Sequence, residues 1–163
     1  MTDDGLIIYE EEITRIEAAI SGMLRSAEAK CALLVDKDGH LITRQGFTHS
    51  LDTTALAALL AGSFASTKEI ARLVGEPEFS VLFHQGKKDH IHMCLIGERS
   101  ILAVIFDDRT TIGMVRLYAK ETAAELTKIF EQIKQHPQAK TDSGVSSEFA
   151  AMAQDKLDDI FQD

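Results

Sequence analysis

From Glu10 to about Ala27 the apolar side chains stand at Ile13, Ile16, Ile20, Met23 and Leu24. Steps of three and four keep them on one side of a helix, so this stretch predicts an amphipathic helix. The period then changes. Cys31 to Val35 is an unbroken apolar run, the pattern of a buried strand. Leu41 and Ile42 open a return strand after Asp38-Gly39, a dipeptide suited to a tight turn. Asp52 or Thr53 caps a long helix that runs to about Val74. One side of it carries Leu56, Leu59, Leu60, Phe64, Ile70 and Val74 and reads as the side turned to the core. Another carries Ala58, Gly62, Ala65 and Glu69 at the same spacing. Such small residues cover little core but let a second backbone come close. A glycine inside a helix costs about 1 kcal/mol relative to alanine. This side therefore reads as an interface, with incidental small residues on a solvated surface as the plainer alternative.

Glu76-Pro77 ends that helix, because the residue before proline avoids helical geometry. FSVLFHQ and HIHMCLIG follow as two strands joined by GKKD, a hairpin signal. ILAVIFDD is apolar almost throughout and suits a central strand covered on both faces. A last long helix runs from about Thr110 to Gln135, with Val115, Ala119, Ala123, Leu126, Ile129 and Ile133 in one stripe, and His136-Pro137 stops it. The order is α-β-β-α-β-β-β-α. Tight hairpins make the sheet antiparallel, and helices on both faces bury it, an α+β arrangement in three layers. A domain over 1–136 is then followed by a polar linker over 137–147 and an acidic amphipathic helix over 148–163.

Charge sharpens that last division. Of the net charge of −9, the segment 141–163 holds more than half: Asp142, Glu148, Asp155, Asp158, Asp159 and Asp163 stand against Lys156 alone. The rest is mildly acidic, which disfavours nucleic-acid or anionic-membrane binding by charge attraction. With 163 residues, 45% of them hydrophobic, the chain is ordinary globular material. No apolar run approaches the ~20 residues that span a bilayer, and the acidic start MTDDGLIIYEEE lacks the basic region of a secretory signal. Cytoplasmic residence is the expectation. Cys31 and Cys94 both sit in apolar strand patterns and read as free structural thiols.

Catalytic signatures are missing. There is no phosphate-binding glycine loop, nucleophile elbow or zinc-binding HExxH helix. DKDG is not a calcium loop: its glycine comes too early and Phe47 stands where the twelfth-position glutamate belongs. His90 and His92 share one strand face, with His84 across the hairpin, yet no carboxylate or thiol completes a zinc set. They read as surface or edge-strand histidines. Arg109 lies in a strand-to-helix loop, where an arginine finger would sit; pairing with Asp107 or Asp108 is the plainer reading. No cofactor, metal or catalytic residue is expected.

LLVDKDGHLITRQG followed by DTTALAALLAG resembles the opening half of a Roadblock/dynein-light-chain domain. YEEEITRI, FHQGKKD, VIFDDRTTIGMVRL and ELTKIFE extend the likeness, in order, to the bacterial members that serve a small Ras-like GTPase, over about residues 8–135. The acidic ending LDDIFQD fits the same group. The resemblance implies a profilin-like fold: a five-stranded antiparallel sheet with the first and third helices on one face and the second on the other. It implies a homodimer in which the second helices lie side by side, through Ala58 and Gly62, and the sheets join at the edge strand bearing Phe79, Val81 and Phe83.

The function implied is activation of an MglA-like GTPase in its GTP state, one per dimer, by remodelling the GTPase's own residues without an arginine finger. A Roadblock scaffold that binds a GTPase without activating it is the alternative. The implied setting is cell polarity and gliding motility, in the cytoplasm and concentrated at a cell pole, with no integral membrane association. Ala61, Ala65, Lys68 and Glu69 fall on the second-helix surface that would meet the GTPase, although Glu69 stands where a small residue belongs. Arg15 and Arg116 match basic positions near that region. In the tail, Phe149, Leu157, Ile160 and Phe161 supply an apolar side. Burying each contributes at most ~1.5–3 kcal/mol, and ordering each residue costs ~1–2 kcal/mol. The tail is therefore expected to wait for a second surface, which the resemblance puts on the bound GTPase.

Overall fold

The computed structural model describes residues 10–135. Their elements run α1 (Glu10–Ala27), β1 (Cys31–Asp36), β2 (Leu41–Gly46), α2 (Thr53–Val74), β3 (Val81–Gln85), β4 (His90–Ile96), β5 (Ser100–Phe106) and α3 (Ile112–Gln135). Residues 10–129 belong to one compact unit, and 130–135 continue α3 as part of another.

All strand pairs are antiparallel and the order is β2-β1-β5-β4-β3. β5 lies in the middle and every one of its seven residues is buried, as its apolar run predicts. Side chains alternate between faces along a strand. Leu33, Val35, Met93, Ile101 and Ala103 pack with Ala57, Leu60 and Phe64 of α2. The alternate set, Ala32, Leu34, Leu102, Val104 and Phe106, is equally buried on the opposite face. There α1 brings Ile16, Ile20 and Met23, and α3 brings Val115, Ala119 and Leu126. The expected arrangement holds: one helix on one face, two on the other.

Local chemistry sets the turns. Asp36 Oδ1 accepts from the backbone N–H groups of Asp38 and His40, both at 2.9 Å, and Gly39 takes φ +90°. That carboxylate is occupied by backbone donors. Asp52 caps α2 by accepting from Ala55 N–H at 3.0 Å, and Gly75, left-handed at φ 83°, closes it.

Two expectations change. The side of α2 turned to the sheet is Thr53, Ala57, Leu60, Ala61, Phe64, Thr67 and Ala71, not the larger set read from the pattern. Leu60 and Phe64 are common to both and Leu56 packs at the core margin, but Leu59, Ile70 and Val74 are exposed. Its polar residues, among them Ser63, Ser66, Lys68, Glu69 and Arg72, are spread around the helix, so spacing alone did not choose its inner side; the small residues let it lie close to the strands. Second, β3 begins at Val81, so Phe79 precedes the strand.

Gly46 takes φ +84°, and a Cβ there would stand 2.5 Å from the Lys30 carbonyl oxygen and 2.9 Å from Cys31 Cα. Both obstacles are backbone. Gly46→Ala is expected to lower unfolding stability by about 1–3 kcal/mol in a denaturant titration.

Candidate functional site

The outward side of α2 is the most unusual surface in the described residues. Directly opposite the core side stand Ala55, Gly62, Ser66, Glu69 and Leu73, with Ala58 and Ala65 along one margin and Leu59 and Ile70 along the other. All are exposed, Leu59 at 69% and Leu73 at 76%. Within the protomer, a Cβ on Gly62 would meet nothing within 4 Å. Among the described residues its lack of a side chain serves no packing.

The C-terminal half of the same helix walls a cavity of about 560 Å³. Phe64, Ala65, Phe79, Leu95 and Ile101 make it apolar; Lys37, Lys68 and Arg99 line it with cations, and Glu78 and Glu98 with carboxylates. The structure thus brings together Ala61, Ala65, Lys68 and Phe79. Ala61 departs from its expected place. It is only 7% exposed and belongs to the core cluster, because it lies on the flank of α2 nearest the sheet. Glu69 is exposed, and Arg72 Nε donates to its Oε2 at 2.9 Å.

Arg15 and Arg116 do not join this surface. They ride on α1 and α3, across the sheet from α2, so within a protomer the two sets face opposite ways. Arg116 instead stands near His92, whose side chain lies on that same side of the sheet. His90 and His92 are buried rather than at an edge, because β4 runs inside the sheet between β5 and β3. His84 pairs opposite Ile91, next along from His92, and so points to the other face; the three imidazoles never meet. Among the described residues no cluster of His, Cys, Asp or Glu is arranged to hold a metal ion.

Arg109 folds onto its own loop. Its Nε donates to Asp107 Oδ1 at 3.0 Å and its backbone N–H to the same oxygen at 3.1 Å. These bonds hold the Asp107 carboxyl below its usual range. Arg109 also lines a smaller cavity of about 380 Å³ with Lys30, Phe47, His49 and Asp89. Phe47, 72% exposed, had no signal in the sequence: a single aromatic in a loop follows no period. Cys31 and Cys94 are free and lie on opposite faces of the sheet. Burial pushes their thiols up to about 11 and about 12. The linker 137–147 and the tail residues Phe149, Leu157, Ile160 and Phe161 lie outside the described residues.

An antiparallel α/β/α sandwich whose edge strands are β2 and β3, with an apolar outer side on its second helix, defines a class. Residues 15–106 match the Roadblock/LC7 domain, and the chain belongs to that family. The same fold recurs in profilins, as in that of Acanthamoeba castellanii. Among Roadblock structures, the chain is 48% identical to Myxococcus xanthus MglB, with a TM-score of 0.74 over 78% of this chain and 96% of that one. It is 28% identical to the gliding protein MglB of Thermus thermophilus, with a TM-score of 0.74 over 80% and 99%. An MglB with a tetrameric arrangement matches at 28% identity and a TM-score of 0.76, over 81% and 99%.

His92 gives the fold a pH dependence of definite sign. Burial, then the nearby Arg116, lowers its pKa from the ordinary 6.5. As pH falls below about 6.5 the unfolded chain binds a proton that the folded chain refuses, so stability is lost towards acid pH. His92→Gln is expected to flatten that part of the stability profile, read by denaturant unfolding from pH 7.5 to 5.

Proposed function

We propose that the protein is a homodimeric activator of a small Ras-like GTPase of the MglA type. It has no chemistry of its own in this reading and remodels the GTPase's active site without lending it an arginine. The observation that carries the proposal is the 48% identity to Myxococcus xanthus MglB over nearly all of that chain. The outer side of α2 supports it. A surface helix that exposes Leu59, Ile70 and Leu73 beside a row of Ala and Gly is suited to a second apolar surface. Gly62 has its use there, where two helix backbones meet.

The dimer joins two such helices and pairs the β3 edges. An unpaired strand edge is a hazard that a second copy removes. The tetrameric arrangement of an MglB supports self-association. The GTPase then sits across the paired helices, over Ala65 and Lys68 and beside the cavity they line. Activation follows if this surface binds the hydrolysis-competent arrangement of the GTPase more tightly than the resting one: a differential of about 4 kcal/mol shifts the population about a thousandfold. Arg109, tied to Asp107, has no part in it. The acidic segment beyond residue 141 tunes the complex from the GTPase side, and the process served is cell polarity or gliding motility.

Single-turnover GTP hydrolysis by an MglA-like GTPase, with and without the protein, tests this. Acceleration of about tenfold or more is expected. Arg109→Ala should retain it, and Ala65→Arg should lose it. Loss with Arg109→Ala would restore the arginine finger. Tight binding without acceleration would make the protein a Roadblock scaffold, and Glu69→Ala, which restores a small residue, would be the variant to assay next. Gly62→Ala separates the dimer from the protomer: helix propensity rises by about 1 kcal/mol, while sedimentation should show a weaker dimer. Removing residues 143–163 should leave the dimer intact and change only its affinity for the GTPase.

A further inference from the structure

We infer that the side of β3 turned towards α3 is a second docking surface, and that it takes one acidic amphipathic helix of another protein per dimer. The inference rests on the edge-paired dimer proposed above but concerns the opposite side of the sheet from α2.

Pairing through a strand edge satisfies the backbone N–H and C=O groups of β3. It leaves both sides of the strand as they were. On the α2 side Leu82 packs against the core. On the other side Val81 and Phe83 stay 41% and 40% exposed, even though Phe83 stacks on Phe106 at 6.1 Å between ring centres. The helices on that face do not cover the last strand. Opposite Phe83 in the ladder stands His92, which is 3% exposed and whose Nδ1 has no hydrogen-bond partner. Arg116 of α3 is close enough to act on that imidazole. Lys120 follows one turn later on the same side of the helix. Both cations are exposed, and neither has a side-chain partner among the described residues.

The carboxylate seen on this side is that of Asp108, whose Oδ1 lies 3.4 Å from His90 Nε2, and Asp89 of the β3–β4 turn is paired with Lys30. The first turn of α3 holds no acidic residue, so the positive end of its peptide dipoles adds to the field. The β3–β4 turn contributes Lys87 and Lys88. On a chain of net charge −9, this is an apolar strip bordered by cations. Its complement is a helix with an aliphatic side for Val81 and Phe83 and carboxylates for Arg116 and Lys120.

The dimer sets the number. Strands lie about 4.8 Å apart, so in an edge-paired sheet about 14 Å separates the two β4 strands. A helix with its side chains is about 10 Å across. Two copies of Val81 and Phe83 then floor one groove between two copies of Arg116, and a groove on the two-fold axis accepts one helix.

The test uses the full-length protein, first sedimented to establish the dimer. The probe is a labelled synthetic peptide of about 18 residues with Leu and Phe along one helical side and Glu along the other. A second peptide carries Lys in place of Glu. The acidic peptide is expected to bind saturably, one per dimer, and the basic one not to bind. Arg116→Glu with Lys120→Glu should weaken the acidic peptide about tenfold or more at low salt. Lys68→Glu, at a residue that lines the cavity on the α2 side and lies off the Ala58–Gly62 row, should leave it unchanged while weakening GTPase binding, so the two proposals fail separately. Equal binding of both peptides, two per dimer, no binding, or indifference to the charge reversal would overturn the inference. Binding seen only after residues 143–163 are removed would give the groove to the chain's own acidic segment and overturn it too.

Discussion

β5 presents no exposed side chain, and the layout of residues 10–129 follows from covering it. A strand apolar on both faces needs helices on both sides and strands on both edges. β1 and β4 close its edges; α2 closes one face, and α1 with α3 the other. Burying Leu102, Ile101, Ile105 and Phe106 contributes on the order of 1.5–3 kcal/mol each, and the cores on both faces are built around them. Placing β5 in the middle also fixes what is left open. β2 and β3 become the edges, and only β2 has a helix close over it: α1 reaches Thr43 and Gln45 through Glu17 and Ser21. Among the described residues β3 has no strand on its outer edge, and Val81 and Phe83 are half-exposed.

The packing of α2 has the same origin. To lie close on the sheet it presents Ala57, Ala61, Thr67 and Ala71, with Leu60 and Phe64 as its larger contacts. A helix whose inner side is built of small residues has its Leu59, Ile70 and Leu73 elsewhere, and here they face outwards. The apolar outer side is thus not a local defect in patterning. It fits a helix made to be covered twice, once by its own sheet and once by something outside the protomer.

Charge separates the two sides of the sheet. The α2 side has a mixed border, with Lys37, Lys68 and Arg99 set among Glu78 and Glu98. The α3 side near β3 carries Arg116 and Lys120 without a side-chain partner among the described residues, and its one carboxylate contact is Asp108 with His90. A surface with both signs favours a partner with both signs in a fixed register, whereas a single-sign surface selects by net charge and weakens with salt. Two sides of one small sheet can therefore select different partners without sharing residues.

The sequence by itself determined the elements. Period and turn chemistry placed each helix and strand within a few residues, because Pro77, the DKDG turn and the capping Asp52 act locally. The unbroken run in β5 placed the central strand, since an apolar face that is never interrupted must be covered on both sides. The small-residue row of Ala58, Gly62 and Ala65 was also legible, as a matter of spacing. Only the tertiary structure decided which side of α2 faces the core, since apolar and polar residues scattered around a helix give it little phase. It alone buried His90 and His92, because strand order, not strand sequence, makes β4 interior. It alone set Arg15 and Arg116 across the sheet from Ala65 and Lys68. Distant segments share a surface only when layers and crossovers bring them together, and no local pattern encodes that.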